Sequence, residues 1–355
     1  MTYFNFFKNK KILITGHNGF KGSWLSAVLS LSNAKILGIS LKPINKNLNH
    51  FELIKKNVNI QENNFDIRTF YKLKKIIQDF KPDLVFHLAA QALVSKSYTD
   101  PKYTWETNVI GTLNLLLSLQ SINKKCAAVL ITSDKCYKNK EVKTAYKENS
   151  ELGGIDPYSS SKASAEILIK SFFNSFLKNQ SLLRIATARA GNVIGGGDWS
   201  DDRLIPDCIK KWSQNQKVII RNPNSTRPWQ HVLDVIHGYL SLAKKLYQNS
   251  SLNGDSFNFS SSNIKNFTTI KLVTELSNYW DSASWIIKKS NFFYESNLLQ
   301  LNSQKAKKIL NWHNKLSQKD TIKLTATWYA NFYNNKNFVT DITFDQLNYF
   351  LKKLK

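Results

Sequence analysis

The chain has 355 residues, 42% of them hydrophobic and spread along its length, which excludes a disordered polypeptide and allows one large packed domain or two. Its formal net charge of +25 invites a nucleic-acid partner, but only six of the 50 basic residues are arginine, so the excess reads as a lysine-rich solvated surface and no nucleic acid is expected. Three cysteines without metal-ligand spacing, and no apolar run long enough to span a bilayer, argue against a disulfide framework, a metal site and a membrane segment.

The opening MTYFNFFKNKKILITG lacks the basic-then-apolar order of a secretion signal, so a cytoplasmic protein is expected. KKILITG (10–16) is a short apolar strand, GFKGSWLSAVLSLS (19–32) has helical spacing, and AKILGISL (34–41) is a second strand. In NNFDIR (63–68) a third strand ends ahead of Asp66, and RTFYKLKKIIQDF (68–80) is helical. DLVFHLAA (83–90) and AAVLITS (127–133) are continuous apolar runs, as strands covered on both faces should be. A helix at 100–121 separates them, another runs from Pro157 to about Lys178, and LLRIATARAGNVIG (182–195) is a further strand.

This alternation predicts a doubly wound parallel α/β sheet, a Rossmann domain, over residues 1–194. The rhythm then breaks at a glycine-rich loop. RLIPDCIKKW (203–212) and VLDVIHGYLSLAKKLY (232–247) are helical, and KVIIRNP (217–223) and SFNFSSS (256–262) are short strands. Residues 195–340 are therefore expected to form a smaller α/β substrate domain interwoven with the first, and 341–355 a terminal amphipathic helix.

TGHNGFKG (15–22) spaces Gly16, Gly19 and Gly22 between the first strand and first helix, with Asn18, Phe20 and Lys21 filling the turn. Such a turn lets a pyrophosphate approach the backbone and meet the free N–H groups of the helix start, which points to a dinucleotide. The acidic residue expected roughly 20 positions on, for the ribose 2′-hydroxyl, is missing. The second strand ends on Ser40 with Lys42 beyond, and Asp66 and Ile67 follow the third strand. These residues leave NAD and NADP both open.

Tyr158 and Lys162 in YSSSK lie four apart on a helix and share a face, so an ammonium and a cationic nicotinamide ring would lower the tyrosine pKa and make the phenolate a base for an alcohol proton. Ser133, at the end of the 127–133 strand, can bond the same oxygen. Glycine turn, Ser133, Tyr158 and Lys162 together resemble the extended short-chain dehydrogenase/reductase family, which implies that HLAAQ (Leu88, Ala89, Ala90, Gln91) and TNVIGT (Asn108) line the cofactor, while His87 is read as structural.

Asp134 and Lys135 follow Ser133 directly. In the nucleotide-sugar 4,6-dehydratase branch of that family these positions usually carry Asp–Glu, implying that Asp134 protonates a departing 6-hydroxyl and that Lys135 either takes the C5 proton as a neutral base, which we favour, or steadies the enolate as a cation. GHNGFKGSWL (16–25), TSDKCY (132–137), DPYSSSKASAE (156–166), ARAGNVIGGGDWSDDRLIPD (188–207) and RNPNSTRPWQHVLDVIHGYL (221–240) resemble the members acting on CDP-glucose. The resemblance implies NAD as cofactor and CDP-glucose as substrate. It implies that Asn192, Arg203, Leu204, Ile205, Arg227, Gln230 and His231 hold the sugar nucleotide, and that a homodimer pairs through helices at 102–121 and 157–178. Five of the six arginines (Arg184, Arg189, Arg203, Arg221, Arg227) fall in one region, which suggests phosphate-binding forks. The rival readings are a dehydratase of another nucleotide sugar, an epimerase or reductase using only Ser133, Tyr158 and Lys162, and a non-catalytic polyanion binder.

Overall fold

The computed structural model describes residues 3–142, 144–179, 182–261, 267–288 and 298–354. Ser262 and Lys355, the last residues of an expected strand and of the expected terminal helix, lie outside that set. The first half builds β1 (Lys11–Thr15), α1 (Phe20–Ser30), β2 (Lys35–Ser40), α2 (His50–Ile54), β3 (Gln61–Asn64), α3 (Phe70–Phe80) and β4 (Leu84–His87). Then come α4 (Val94–Thr99), α5 (Pro101–Trp105), α6 (Gly111–Gln120), β5 (Cys126–Ile131), α7 (Pro157–Phe172) and β6 (Leu183–Ala190).

With β10 (Asp255–Phe259) at one edge, the seven-stranded sheet runs β10-β6-β5-β4-β1-β2-β3, every neighbouring pair parallel. The inner strands β1, β4 and β5 are apolar on both faces because helices cover both, while the edge strand β3 is polar. Ile12, Ile14, Phe86 and Val129 point into one core and Leu13, Val85, Ala128 and Leu130 into the other. The chain leaves β1 toward β2 on one side, while β4 lies on the other, so the crevice above the β1 and β4 ends is the topological switch point where such sheets bind ligands.

Three expectations are refined. The helix at 100–121 is α5 and α6 joined by a π turn at Glu106–Ile110, and α7 likewise ends in a π turn at Phe173–Leu177. The 182–195 strand breaks after Ala190 because Asn192 adopts φ +50, a left-handed conformation that asparagine tolerates, and resumes as β7 (Val193–Ile194). Finally, the strand expected near 256–262 is β10 (Asp255–Phe259) and belongs to the main sheet, with Phe257 opposite Ala188 of β6.

The remaining elements are α8 (Leu204–Trp212), β8 (Val218–Ile220), β9 (Gln230–His231), α9 (Val232–Gln248), α10 (Thr269–Ser277), β11 (Trp285–Ile287), α11 (Gln304–Leu310), α12 (Gln318–Asn334) and α13 (Val339–Lys353). Helix α9 packs on β5 and β6 and so joins the helices that cover the main sheet. The terminal helix α13 buries Val339, Leu347 and Phe350 and packs against α12 and α2. Among the described residues, no helix is long and apolar enough to cross a membrane. All three cysteines are buried and free.

Candidate active site

The glycine turn is dictated by space. Gly16 has φ +77, and a β-carbon there would fall 2.7 Å from Ala89 N, while one on Gly22 would fall 1.9 Å from Gly16 O. Only hydrogen fits at either place, so β1, β4 and α1 meet closely. Helix α1 begins at Gly19 without a side-chain cap, leaving its first-turn amides for a ligand. Asn18 Nδ2 donates to Leu41 O at 2.7 Å, holding the turn to the end of β2. Asp66, Ile67, Leu88, Ala89 and Ala90 face the same crevice, as do Ser40 and Lys42. Asp66 is held by Arg68, whose Nε donates to Oδ2 at 3.0 Å.

The expected catalytic residues gather around the end of β5. Ser133 caps a single 3-10 turn, Asp134–Cys136. Its Oγ accepts from Lys135 N at 3.2 Å and donates to Asp134 Oδ1 at 2.9 Å. On the facing helix, Asp156 caps α7 by accepting from Ser159 N at 2.9 Å, and Pro157 fills the first helical position. That start fixes the rotation of α7 and turns Tyr158 and Lys162 toward the β5 end. Lys135 Nζ lies 5.9 Å from the centre of the Tyr158 ring, and the Tyr158 hydroxyl is hydrogen-bonded to Ser133.

Burial controls the protonation of this group. It pushes the Tyr158 phenol up to about 12, helped by the Asp134 and Asp156 charges and opposed by the Ser133 hydrogen bond and by Arg203. The expected lowering of this pKa is therefore reversed in the protein alone, because desolvation outweighs the Ser133 hydrogen bond and the Arg203 charge. Burial also draws Lys162 and Lys21 down to about 8, with Arg203 and Lys162 adding repulsion at Lys21. Lys135 is half-buried at the mouth of this group.

Beyond the catalytic group, the loop after β7 is pinned by Trp24 Nε1, which donates to Gly196 O at 2.8 Å, and by Tyr329, whose hydroxyl donates to Asp198 O. Asp198 then holds Arg203, Nη1 to Oδ2 at 2.8 Å, on the side of the cleft facing Tyr158. Asn192, Leu204, Ile205, Arg221 and Arg227 complete a cleft of about 760 Å³ that is continuous with the glycine turn. One cleft thus joins a dinucleotide-shaped crevice, an acid/base group and an arginine-lined end.

The family model described as GDP-mannose 4,6 dehydratase matches residues 13–325. The chain belongs to the GDP-mannose 4,6 dehydratase family. It is 42% identical over 331 residues to the CDP-glucose 4,6-dehydratase of Salmonella typhimurium, with 92% of each chain covered. It is 26% identical to the UDP-glucose 4-epimerase of Mycoplasma genitalium over 92% of this chain and 98% of the relative. Among solved structures, epimerase Mth375 of Methanothermobacter thermautotrophicus superposes with TM-score 0.81 at 21% identity, covering 95% and 96% of the two chains. DesIV, the dTDP-glucose 4,6-dehydratase of Streptomyces venezuelae with NAD and TYD bound, gives 0.78 at 18%, covering 94% and 99%. At these identities the two structures speak to the fold, which is the doubly wound sheet the sequence predicts.

In this member of the GDP-mannose 4,6 dehydratase family the cleft gathers all five expected catalytic side chains and most of the expected binding residues. Four lie behind it. Gln91 N donates to Asn108 Oδ1 at 2.8 Å and Asn108 Nδ2 to Ser161 Oγ at 2.9 Å, bracing the loop after β4 against α7. Gln230 Nε2 donates to Phe259 O at 2.8 Å, and His231 Nδ1 accepts from Leu233 N at the start of α9. His87 bridges Thr15 and Thr112, in keeping with a structural role. Of the clustered arginines, Arg203, Arg221 and Arg227 line the cleft, but Arg184 donates to the carbonyls of Leu246 and Tyr247, and Arg189 pairs with Glu166 in the core. Glu166, Gly191 and Asp198 escaped the sequence reading, although the first closes DPYSSSKASAE one turn past Lys162.

Proposed function

We propose that this protein is a lyase converting CDP-glucose to CDP-4-dehydro-6-deoxyglucose and water. The observation that carries the reading is that Ser133, Asp134 and Lys135 share one turn and face Tyr158 in the cleft. An epimerase or reductase needs the serine, tyrosine and lysine but has no use for a second acid/base pair. The 42% identical relative is a CDP-glucose 4,6-dehydratase, whereas the epimerase relative stands at 26%.

The crevice fits NAD: the glycine turn excludes any side chain from the approach to the α1 amides, and Asp66 and Ile67 line the same crevice. When bound, NAD supplies a reversible two-electron acceptor that oxidises C4 and later reduces C6. Tyr158 takes the proton of the 4-hydroxyl while Ser133 bonds the same oxygen, and Lys162 steadies the resulting phenol–phenolate change. The C4 ketone acidifies the C5 proton, which Lys135 removes. Asp134 gives a proton to the departing 6-hydroxyl and water leaves; as C6 is reduced, Lys135 returns a solvent-exchanged proton to C5. Arg203 and Arg227 grip the diphosphate.

The test is turnover of CDP-, dTDP- and UDP-glucose and GDP-mannose in deuterated water. Deuterium at C5 with loss of the 6-hydroxyl, fastest with CDP-glucose, is expected. Formation of a C4 epimer with the 6-hydroxyl retained overturns the reading. We also infer a cytoplasmic homodimer acting in deoxysugar formation for surface polysaccharide (lipopolysaccharide), supported by apolar side chains on the α5–α6 and α7 surfaces, among them Trp105, Ile110 and Ile167.

A further inference from the structure

Tyr158, Lys162 and Glu166 follow one another at four-residue intervals on α7 and therefore point the same way. Tyr158 and Lys162 open to the cleft; Glu166 does not. Its side chain is 2% exposed, and its two oxygens accept four hydrogen bonds. Oε1 receives Thr132 Oγ1 at 2.5 Å and Arg189 Nε at 2.9 Å. Oε2 receives Arg189 Nη2 at 2.7 Å and Thr187 Oγ1 at 3.0 Å. Every acceptor position of the carboxylate is thereby used.

The donors come from the segments that carry the reaction. Thr132 is the residue before Ser133. Arg189 lies two residues before Gly191, the backbone on which the Asp134 carboxylate rests. The rest of the Arg189 fork reaches Tyr137 OH at 2.7 Å, at the far end of the Ser133–Cys136 turn, and Ser256 Oγ on β10 at 3.0 Å. A well-packed apolar pair would stabilise such a core about as well as a buried ion pair does. What the ion pair adds is a single permitted register between α7, the β5 end and β6.

We propose that the Glu166–Arg189 pair is a positioning device that locks the helix bearing Tyr158 and Lys162 to the strand end bearing Ser133 and Asp134, so that oxidation and elimination act on one bound sugar. This rests on the dehydratase reading. A displacement of about 1 Å between the two groups is enough to lower turnover by ~10²-fold.

The experiment compares Thr132→Val, Thr132→Ser and Glu166→Gln in the full chain with NAD and CDP-glucose. Thr132→Val removes one bond to Glu166 without changing the volume of the site. We expect its kcat to fall by roughly tenfold or more with KM held within about twofold, recovery in Thr132→Ser, and a larger loss in Glu166→Gln. Hydrogen–deuterium exchange, which needs no turnover, is expected to rise together over 132–137 and 157–166 in Thr132→Val. A Thr132→Val protein with wild-type kcat, or exchange unchanged in both segments, overturns the proposal even if Glu166→Gln does not fold. A wild-type protein that leaves CDP-glucose untouched overturns the dehydratase reading instead, and the exchange measurement then decides the positioning role alone.

Discussion

The Asp134 carboxylate is seated on the α-carbon of Gly191: a β-carbon there would fall 1.8 Å from Asp134 Oδ2. The residue that follows β6 thus sets where the acid group stands, although the two positions are 57 apart in the chain. Gly191→Ala is expected to push Asp134 off the elimination site and lower kcat by about 10–100-fold, with CDP-glucose affinity nearly unchanged. Steady-state kinetics with isothermal titration of the sugar nucleotide check it. Wild-type kcat in that variant would mean the carboxylate has no fixed post.

Asp134→Asn keeps the shape of the site and removes the transferable proton. Loss of the 6-hydroxyl is expected to slow by ~10²–10⁴-fold while oxidation at C4, served by Tyr158 and Ser133, continues. In deuterated water, recovered CDP-glucose should then carry deuterium at C5 although little keto product forms. Mass spectrometry of the recovered sugar nucleotide reads both.

Lys162 links stability to pH. Its ammonium titrates near 10.5 in the unfolded chain and is drawn by burial down to about 8 in the fold. Between those values the unfolded chain binds more protons, so this residue makes stability rise with pH; below about 8 its burial penalty is fully present. Lys162→Met is expected to unfold later than the wild type at pH 7, by up to ~3 kcal/mol, with the gap closing from about pH 8 toward 10.5. Thermal melts across that range test it. The same variant should lose catalysis.

Gly16→Ala forces a β-carbon into the backbone of Ala89 and strains a positive φ. A fall in melting temperature together with at least tenfold weaker NAD binding, measured by calorimetry, is expected. Asp66→Ala should weaken NAD binding while leaving the melting temperature near that of the wild type, because its side-chain hydrogen bonds go to Arg68, two residues on.

Ile167 is 58% exposed on the outer face of α7, and Trp105 and Ile110 are exposed on the neighbouring α5–α6 rod. If this face pairs two copies, Ile167→Glu should convert dimer to monomer in sedimentation experiments. A wild-type monomer at micromolar concentration would dispose of the homodimer.

The sequence by itself determined the parts of this protein that depend on near neighbours. The glycine spacing at 16, 19 and 22, the Asp156–Pro157 helix start, the Tyr158–Lys162 pair on one helical face and the strand–helix alternation are all local patterns, legible because backbone sterics and a 3.6-residue period act over a few positions. Only the tertiary structure decided which partner each buried polar group found. Gln91 and Asn108 became braces, Gln230 turned to Phe259 O, Arg189 closed on Glu166 and β10 joined the main sheet, because sheet order brings together residues far apart in the chain and a buried donor must take whatever acceptor that packing delivers. The same packing lifts the Tyr158 pKa, since desolvation belongs to the fold and to no single stretch of residues.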